Sequence, residues 1–236
     1  MTDQEEDRSS IGPFKTTEKW SNPMTFAQQL AKISLEIGAI KIDPRNPFTW
    51  ASGYRMPLYN DNRLLLGHPD HRHLVAEAMK SIIDKEKIQP DVVGGVATAG
   101  IPHAVSLANL IQLPLIYVRS SPKEHGLNNQ IEGILKPGQQ VVVVEDLIST
   151  GGSALKAVDC IRKAGGRVDH CLAIFSYGFT EAEQQFQQSH CRLHTILNLE
   201  SLLQCAEQEG RINSNEREVL DDWNQNPFEW GKKQGF

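Results

Sequence analysis

Between residues 91 and 197, short apolar runs alternate with stretches whose apolar residues recur at helical spacing. Residues 141–144 are four consecutive valines, and such an unbroken β-branched run is typical of a strand buried on both faces of a parallel sheet. The alternation predicts βαβ units, and therefore an α/β fold whose mostly parallel central sheet is flanked by helices. The predicted strands are 91–96, 115–118, 141–144, 168–176 and 192–197, and the predicted helices between them are 101–110 and 154–164.

The regions outside this alternation have a different character. Residues 1–22 are polar, and we interpret them as a loose leader. Apolar spacing predicts a helix over residues 26–37, and a second helix opened by Pro69. Residues 43–66 between them are rich in proline, asparagine and aromatic residues, which predicts irregular structure. Residues 201–236 are expected to form a helical extension with two short amphipathic helices.

Composition narrows the class of protein. The 236-residue chain has a net charge of −5, which argues against a general nucleic-acid-binding protein. It has no apolar run of membrane-spanning length, and its acidic start lacks the order of a signal peptide, so we expect a cytoplasmic protein that does not bind membranes. No Cys-x-x-Cys pair is present, and we expect the cysteines to be free thiols in a reducing compartment. They are Cys160, Cys171, Cys191 and Cys205.

The valine run is followed by two acids and then by a hydroxyl-rich turn. Glu145 and Asp146 stand where we expect the strand to end. The turn that leads into the next helix consists of Ser149, Thr150, Gly151, Gly152 and Ser153. Free N–H groups at a helix start form a cradle for phosphate, and acids beside it can hold hydroxyls or a hard metal ion. A strand–turn–helix with an ordinary Ser/Thr N-cap is the alternative, but the paired acids favour a sugar-phosphate site.

Residues 141–153 resemble the 5-phosphoribosyl 1-diphosphate (PRPP) motif of the type I phosphoribosyltransferases. They match neither a Walker A loop nor a Gly-x-Gly-x-x-Gly dinucleotide loop. The resemblance implies that Glu145 and Asp146 hold the ribose hydroxyls and, mainly through PRPP and water, Mg²⁺. It also implies that residues 149–153 hold the 5′-phosphate. In the family the turn after an earlier strand presents amides to the diphosphate; here its residues are Thr98, Ala99 and Gly100.

Residues 119–138 join two predicted strands without apolar periodicity, and a connection of this length is uncommon unless it is functional. Arg119, Lys123 and His125 give it a cationic start, which suits a lid over a phosphate site, although a solvated surface loop is the alternative. Residues 117–126 resemble the catalytic loop of the orotate phosphoribosyltransferases. The resemblance implies that the three cations contact the diphosphate, and that the loop acts in the neighbouring subunit's site of a homodimer.

Residues 48–63 resemble the segment that forms the orotate pocket in the same family. Tyr59 is suited to stack on a flat pyrimidine, and Arg63 to bind a carboxylate. The orotate-binding set that follows consists of Ser52, Gly53, Tyr59, Arg63 and Ser149. Without the family match, an aromatic-rich packing loop is the alternative for this stretch.

Several positions differ from the residues found in other family members, and one histidine cluster raises the question of a metal site. Lysine stands in some members where this chain has Ala51, Ala99 and Ser120, and their neutrality predicts anion binding by backbone amides. Three histidines, His68, His71 and His73, cluster near the start of the second helix. No carboxylate or cysteine completes a credible metal set with them, so we interpret them as solvated helix-end residues.

The resemblance covers about residues 26–200. It implies a phosphoribosyltransferase domain over 23–200, with a small hood subdomain largely over 23–66, a core over about 67–200, and a long flexible catalytic loop. The implied reaction is the Mg²⁺-dependent transfer of the phosphoribosyl group from PRPP to orotate, which gives orotidine 5′-monophosphate and diphosphate. Two alternatives stay open: a salvage enzyme that acts on purines or other bases, and a non-catalytic PRPP-sensing regulator.

Overall fold

The computed structural model describes residues 24–50, 52–121 and 130–236. The α-helices of this part are α1 (Phe26–Glu36), α2 (Pro69–Lys85), α3 (Gly100–Ile111), α4 (Gly152–Lys163), α5 (Thr180–Gln188), α6 (Leu199–Gln208), α7 (Ser214–Gln225) and α8 (Pro227–Lys233), with a 3₁₀ helix at Asn62–Gly67. The strands are β1 (Ile40–Ile42), β2 (Phe48–Thr49), β3 (Arg55–Met56), β4 (Leu58–Asn60), β5 (Val92–Val96), β6 (Leu115–Val118), β7 (Ile131–Glu132), β8 (Gln140–Ile148), β9 (Arg167–Ser176) and β10 (Arg192–Asn198).

Six strands form the central sheet in the order β10-β9-β8-β5-β6-β7. All neighbours are parallel except β7, which runs antiparallel to β6 at the edge. The prediction of a mostly parallel sheet flanked by helices is therefore confirmed. Glycine in β5 allows α3 to pack directly on the sheet, because a Cβ on Gly95 would lie 3.0 Å from both the Cβ of Ala104 and the Cα of Ile101.

The two faces of the sheet bury separate hydrophobic clusters. One cluster packs α4 and α5 against the sheet, with Val158 and Phe186 at its centre. The other is larger and joins the opposite face to α1, α2, α3, α6, α7 and α8. The four valines at 141–144 alternate between these two clusters and are all buried, which explains why the run contains no polar position.

The central strand differs from the prediction at its carboxyl end. We expected it to stop at residue 144, but β8 continues to Ile148 and contains both acids. Its pairing is unequal: the last pair with β5 is Gly95 with Val144, whereas pairing with β9 extends to Ile148 and Ser176. The acids are thus held by a ladder on one side only, and the other side is open to a neighbouring turn.

The region over 43–66 is more ordered than its composition predicted. The strand β1 pairs with β4, and β2 pairs with β3 to form a second antiparallel ribbon. Strands of two or three residues leave almost no periodic signal in the sequence, which explains why the prediction missed them. Both ribbons are separate from the main sheet. They lie within residues 40–60, and we use the predicted name hood for residues 40–66.

The C-terminal extension contains three helices, α6, α7 and α8, rather than the two predicted from apolar spacing. The missed helix α8 begins at Pro227 and carries only a few apolar residues, but its Trp230 is buried. Trp223 on α7 is also buried, and its indole Nε1 donates a hydrogen bond of 3.2 Å to Met56 Sδ in the hood. The helix α5, Thr180–Gln188, was not predicted either.

Two further observations concern the chain as a whole. No helix among the described residues has the length and apolarity needed to cross a membrane. The four cysteines are unpaired, as predicted, and three of them are buried in the hydrophobic clusters.

We expect His103 to make the stability of the protein fall in mild acid. His103 on α3 is 1% exposed, neither ring nitrogen has a hydrogen-bond partner in the described part of the chain, and burial together with the charge of Arg72 lowers its pKa to about 4. The unfolded chain takes up the proton near the ordinary pKa of about 6.5. The contribution of neutral His103 to the free energy of unfolding is therefore fully present above about pH 6.5. It declines as the pH falls toward 4, by at most about 3 kcal/mol.

Urea unfolding at pH 7 and pH 4.5 measures this loss. The variant His103→Leu, which fills similar volume and cannot titrate, should lose less stability over the same interval. Identical pH dependence in the two proteins would contradict the assignment.

Candidate active site

The turn after β8 presents the start of α4 at the carboxyl edge of the sheet. The N-cap of α4 is Gly151, with φ of 87°, and no side chain caps the helix. The alternative interpretation, an ordinary serine or threonine N-cap, is therefore wrong. A Cβ on Gly151 would lie 2.9 Å from the ring of Phe186, whereas Gly152 faces open space. The first backbone N–H groups of α4 are thus available to an anion.

The two acids of β8 lie directly before this turn. Glu145 is buried, and its Oε1 accepts a hydrogen bond of 3.0 Å from the backbone N–H of Asp146. Burial, followed by the neighbouring Asp146, raises the pKa of Glu145 well above its usual range. Burial also raises the pKa of Asp146, while the charge of Arg63 opposes this shift. A bound cation or hydroxyl donor would supply the compensation that these buried carboxyls lack.

Asp146 is also less open to solvent than the sequence suggested, because it is half-buried. The hood covers it: the side-chain amide Nδ2 of Asn62 donates a hydrogen bond of 2.7 Å to the backbone carbonyl of Asp146. Asn62 is fully buried, and its Oδ1 has no partner in the part of the chain that the structure describes. Sequence reasoning did not select Asn62. Its only signal was its position in the polar pair that precedes Arg63.

Two of the predicted base-binding residues lie on β4 and on the 3₁₀ helix that follows it, and the charge of one of them, Arg63, acts on Asp146. The guanidinium of Arg63 forms a bidentate pair with Asp61, at 2.6 Å from Nε to Oδ1 and 2.9 Å from Nη2 to Oδ2. The carboxylate of Asp61 raises the pKa of Arg63, and the charges of Tyr59 and Asp146 contribute in the same direction. The ring of Tyr59 lies against Phe48, with centroids 5.9 Å apart. Asp61 therefore orients Arg63 at the mouth of the site, a role that was not predicted.

The other two predicted base-binding residues of the hood lie at the tip of the β2–β3 hairpin. Ser52 and Gly53 are exposed, and Gly53 has φ of 85° and donates its N–H to the carbonyl of Trp50 at 2.8 Å. Within the described residues, no hydrogen bond or ion pair connects Ser52 or Gly53 to Glu145 or Asp146.

The turn between β5 and α3 lies against the acids. A Cβ on Gly100 would lie 2.5 Å from the carbonyl oxygen of Val144 and 3.3 Å from Oε1 of Glu145, so only glycine fits there. The preceding residues, Thr98 and Ala99, make no side-chain cap for α3, and the peptide between Ala97 and Thr98 is cis. This turn thus lies at the carboxyl edge of the sheet, against Glu145.

Arg119 begins the next connection, beside the same turn. Its backbone N–H donates to the carbonyl of Gln130 at 2.9 Å, and its Nη1 lies 3.6 Å from Oε1 of Glu132. A groove of about 570 Å³ is lined by Arg119 and Ser153 from two of the predicted phosphate-binding segments and by Ala97, which precedes Thr98, whereas Glu145 and Asp146 do not line it. The other two cations predicted for this loop, Lys123 and His125, and the neutral position Ala51 lie outside the described residues.

The acids also suit a divalent cation that arrives with a substrate. No group of three or more metal-ligating side chains exists within the described residues, including the region of His68, His71 and His73. Glu145 and Asp146 nevertheless provide two adjacent oxygen ligands, and Mg²⁺ is usually held by one or two carboxylates together with substrate phosphates and water. The donor set therefore fits Mg²⁺ bound mainly through a phosphorylated substrate.

Comparison with known proteins agrees with this geometry. Residues 65–194 match the model of the phosphoribosyl transferase domain. Orotate phosphoribosyltransferase of Listeria monocytogenes is 46% identical over 209 residues, which cover 89% of this chain and all of that protein. The enzyme of the same name from Phocaeicola vulgatus is also 46% identical, over 217 residues, 92% of this chain and 98% of the relative.

A solved structure gives the same result. The crystal structure of orotate phosphoribosyltransferase from Aeropyrum pernix superimposes with a TM-score of 0.68 at 31% identity, over 78% of this chain and 99% of that one. All three relatives are orotate phosphoribosyltransferases. This protein belongs to the orotate phosphoribosyltransferase family of the phosphoribosyl transferase fold.

Proposed function

We propose that this protein transfers the 5-phosphoribosyl group of PRPP to orotate, giving orotidine 5′-monophosphate and diphosphate in pyrimidine (UMP) biosynthesis. The observation that carries the proposal is the convergence of three features at one edge of the sheet: the paired acids of β8, the uncapped start of α4, and Arg63 beside Asp146. Family membership supports the choice of orotate, since the relatives named above are orotate phosphoribosyltransferases.

The ribose phosphate occupies the acids and the turn in this proposal. Glu145 and Asp146 accept hydrogen bonds from the ribose hydroxyls, and their carboxylates favour the positive charge that develops on the ribose ring as the bond at C1 breaks. The 5′-phosphate binds the amides and hydroxyls of residues 149–153 at the start of α4. Glu145 and Asp146, together with the substrate, would hold Mg²⁺, which would supply charge neutralisation for the departing diphosphate.

The diphosphate itself lies between the turn of Thr98, Ala99 and Gly100 and the cationic loop. Backbone amides of the turn bind it, in agreement with the neutral side chains at these positions. Arg119, Lys123 and His125 neutralise its charge, and Lys123 or His125 donates a proton to it where one is needed. Arg119 leaves Glu132 to bind the diphosphate. Breaking their 3.6 Å ion pair costs little free energy, because ion pairs near the surface contribute little to stability.

Orotate fills the remaining space under the hood. Tyr59 stacks on the pyrimidine ring, and the guanidinium of Arg63, already oriented by Asp61, binds the carboxylate. Ser52, the Gly53 amide and Ser149 complete the contacts to the base. Because Arg63 also lies near Asp146, the carboxylate of the base is brought to the side of the ribose where displacement occurs.

The assembly and location of the enzyme form part of the same proposal. The cationic loop acts in the site of a second subunit, so the working unit is a homodimer. Exposed apolar side chains suit such an interface, since Val105 on α3 and Ile134 after β7 are large apolar residues open to solvent. The protein acts in the cytoplasm.

The first test offers PRPP and Mg²⁺ with orotate, uracil, adenine or hypoxanthine, and measures diphosphate release. We expect release with orotate alone, because Arg63 has no carboxylate to bind in the other bases. Release with a purine would replace the proposed pocket by that of a salvage enzyme. PRPP binding without release in the presence of any base would favour the PRPP-sensing regulator.

A second prediction concerns Asp146. The variant Asp146→Asn keeps the shape of the side chain but removes its charge, so kcat/KM should fall at least about 100-fold. Folding should be nearly unaffected, because burial already disfavours the charged form of this acid. Asp70→Asn at the exposed start of α2 is the matched control and should retain activity. A large decrease in thermal stability with normal turnover would contradict the assigned role.

A third prediction tests whether the loop is shared. Lys123→Ala should lower kcat far more than it raises the KM for orotate, and Asp146→Asn should be nearly inactive. Co-expression of the two variants should restore about a quarter of wild-type activity, because half of randomly formed dimers are mixed and each has one complete site. Activity no higher than that of the separate variants would show that the loop acts in its own subunit.

A further inference from the structure

The C-terminal helix α8 packs tightly against the hairpin formed by β2 and β3. Gly231 is buried in α8, and a Cβ at this position would lie 2.9 Å from Arg55 Cβ and 3.0 Å from the Arg55 carbonyl oxygen. Cβ atoms in proteins do not approach other atoms that closely, so the helix and the hairpin can pack at this distance only because residue 231 is glycine. The guanidinium of Arg55 also lies 5.8 Å from the ring centroid of Phe236, at the C-terminus.

Aromatic contacts extend this interface along both helices. Tyr54 of the hairpin lies against Phe228 of α8, with ring centroids 5.1 Å apart, and Phe228 contacts Phe179 at 5.7 Å. On α7, the indole of Trp223 donates to Met56 in β3 at 3.2 Å. Two of the three helices of the extension, α7 and α8, therefore contact the hairpin.

The same hairpin reaches the carboxyl edge of the sheet. The rings of Trp50 and Tyr177 have centroids 5.1 Å apart, and the backbone N–H of Tyr177 donates to the carbonyl of Ile148 at the end of β8. Tyr177 in turn meets Trp223 edge to face at 5.9 Å. Packing is thus continuous from the extension through the hairpin to the strand that carries the acids.

The hairpin needs such support because it is very short. Its strands have two residues each, and an isolated ribbon of this size is not stable in water. Among the described residues of the hood, its side-chain hydrogen bonds run from Arg55 Nη1 to Thr49 Oγ1 at 2.9 Å and from Trp50 Nε1 to the Leu58 carbonyl at 2.9 Å. The ring of Phe48 also packs against Tyr59 of the hood, and further anchoring comes from the extension and from Tyr177.

We propose that α7 and α8 are a positioning element for the base: they fix the β2–β3 hairpin, and with it Ser52 and Gly53, at the distance that orotate requires. Gly231 and Phe228 are its positioning residues and touch neither substrate. This proposal rests on the proposed function, because it takes orotate to be the base bound by the hairpin. The proposal predicts an effect on orotate binding but not on PRPP binding, since Gly231 and Phe228 make no contact with the described residues of the proposed PRPP-binding turns.

Steady-state kinetics of Gly231→Ala and Phe228→Leu test the proposal. The added methyl group displaces Arg55, and the loss of the Phe228 ring releases Tyr54. We expect the KM for orotate to rise about five- to twentyfold in each variant, with kcat and the KM for PRPP within about twofold of wild type, since small displacements of binding groups have effects of this order. The matched control is Gly67→Ala, where a methyl group enters open space.

A thermal melt and a calorimetric titration with orotate accompany the kinetics. An unchanged KM for orotate in folded variants would overturn the proposal. A decrease of kcat together with a lower melting temperature, without a selective effect on orotate, would also overturn it, because the interface would then be structural only. A wild-type protein that does not use orotate would instead refute the proposed function.

Discussion

The chemistry that we propose for this protein depends on the unequal pairing of its central strand. Beyond Val144, β8 keeps its ladder with β9 but has no further pairing with β5. The ladder on one side keeps the backbone of Glu145 and Asp146 rigid, while the open side admits the turn that begins α3. Gly100 occupies this space and lies so close to β8 that no residue with a side chain would fit there. One strand thus supplies a fixed pair of acids and the room for a ligand beside them.

The acids and the hood depend on one another electrostatically and sterically. Burial disfavours both carboxylate charges, and Arg63 of the hood opposes that effect at Asp146. Asn62 binds the Asp146 backbone across 84 positions of sequence, so the hood is attached to the strand at the place where the acids lie. A ligand that brings positive charge or hydroxyl donors meets carboxyls that burial has left short of partners, which is a common condition of active sites.

The sequence revealed the parts of the structure whose signals are local. The valine run, the acid pair and the glycine turn are each encoded within a few residues, and they predicted the sheet and its functional edge. Features set by tertiary packing were not predictable in this way. Nothing near Asp146 indicated that the strand would continue through it, and Pro227 began a helix whose buried Trp230 has no periodic companions. Asn62 matters because of a partner that is distant in the chain.

The contact between Gly151 and Phe186 has a consequence for affinity. Phe186 belongs to α5, which packs on the α4 face of the sheet, and its ring occupies the place of a side chain at Gly151. The shape of the turn at Gly151 is therefore imposed by the hydrophobic cluster beneath it and does not depend on a bound ligand. Such preorganisation means that little conformational entropy is lost when an anion binds. A cavity-forming substitution in that cluster would loosen the turn and weaken the anion binding that we propose for it, without altering any residue of the turn itself.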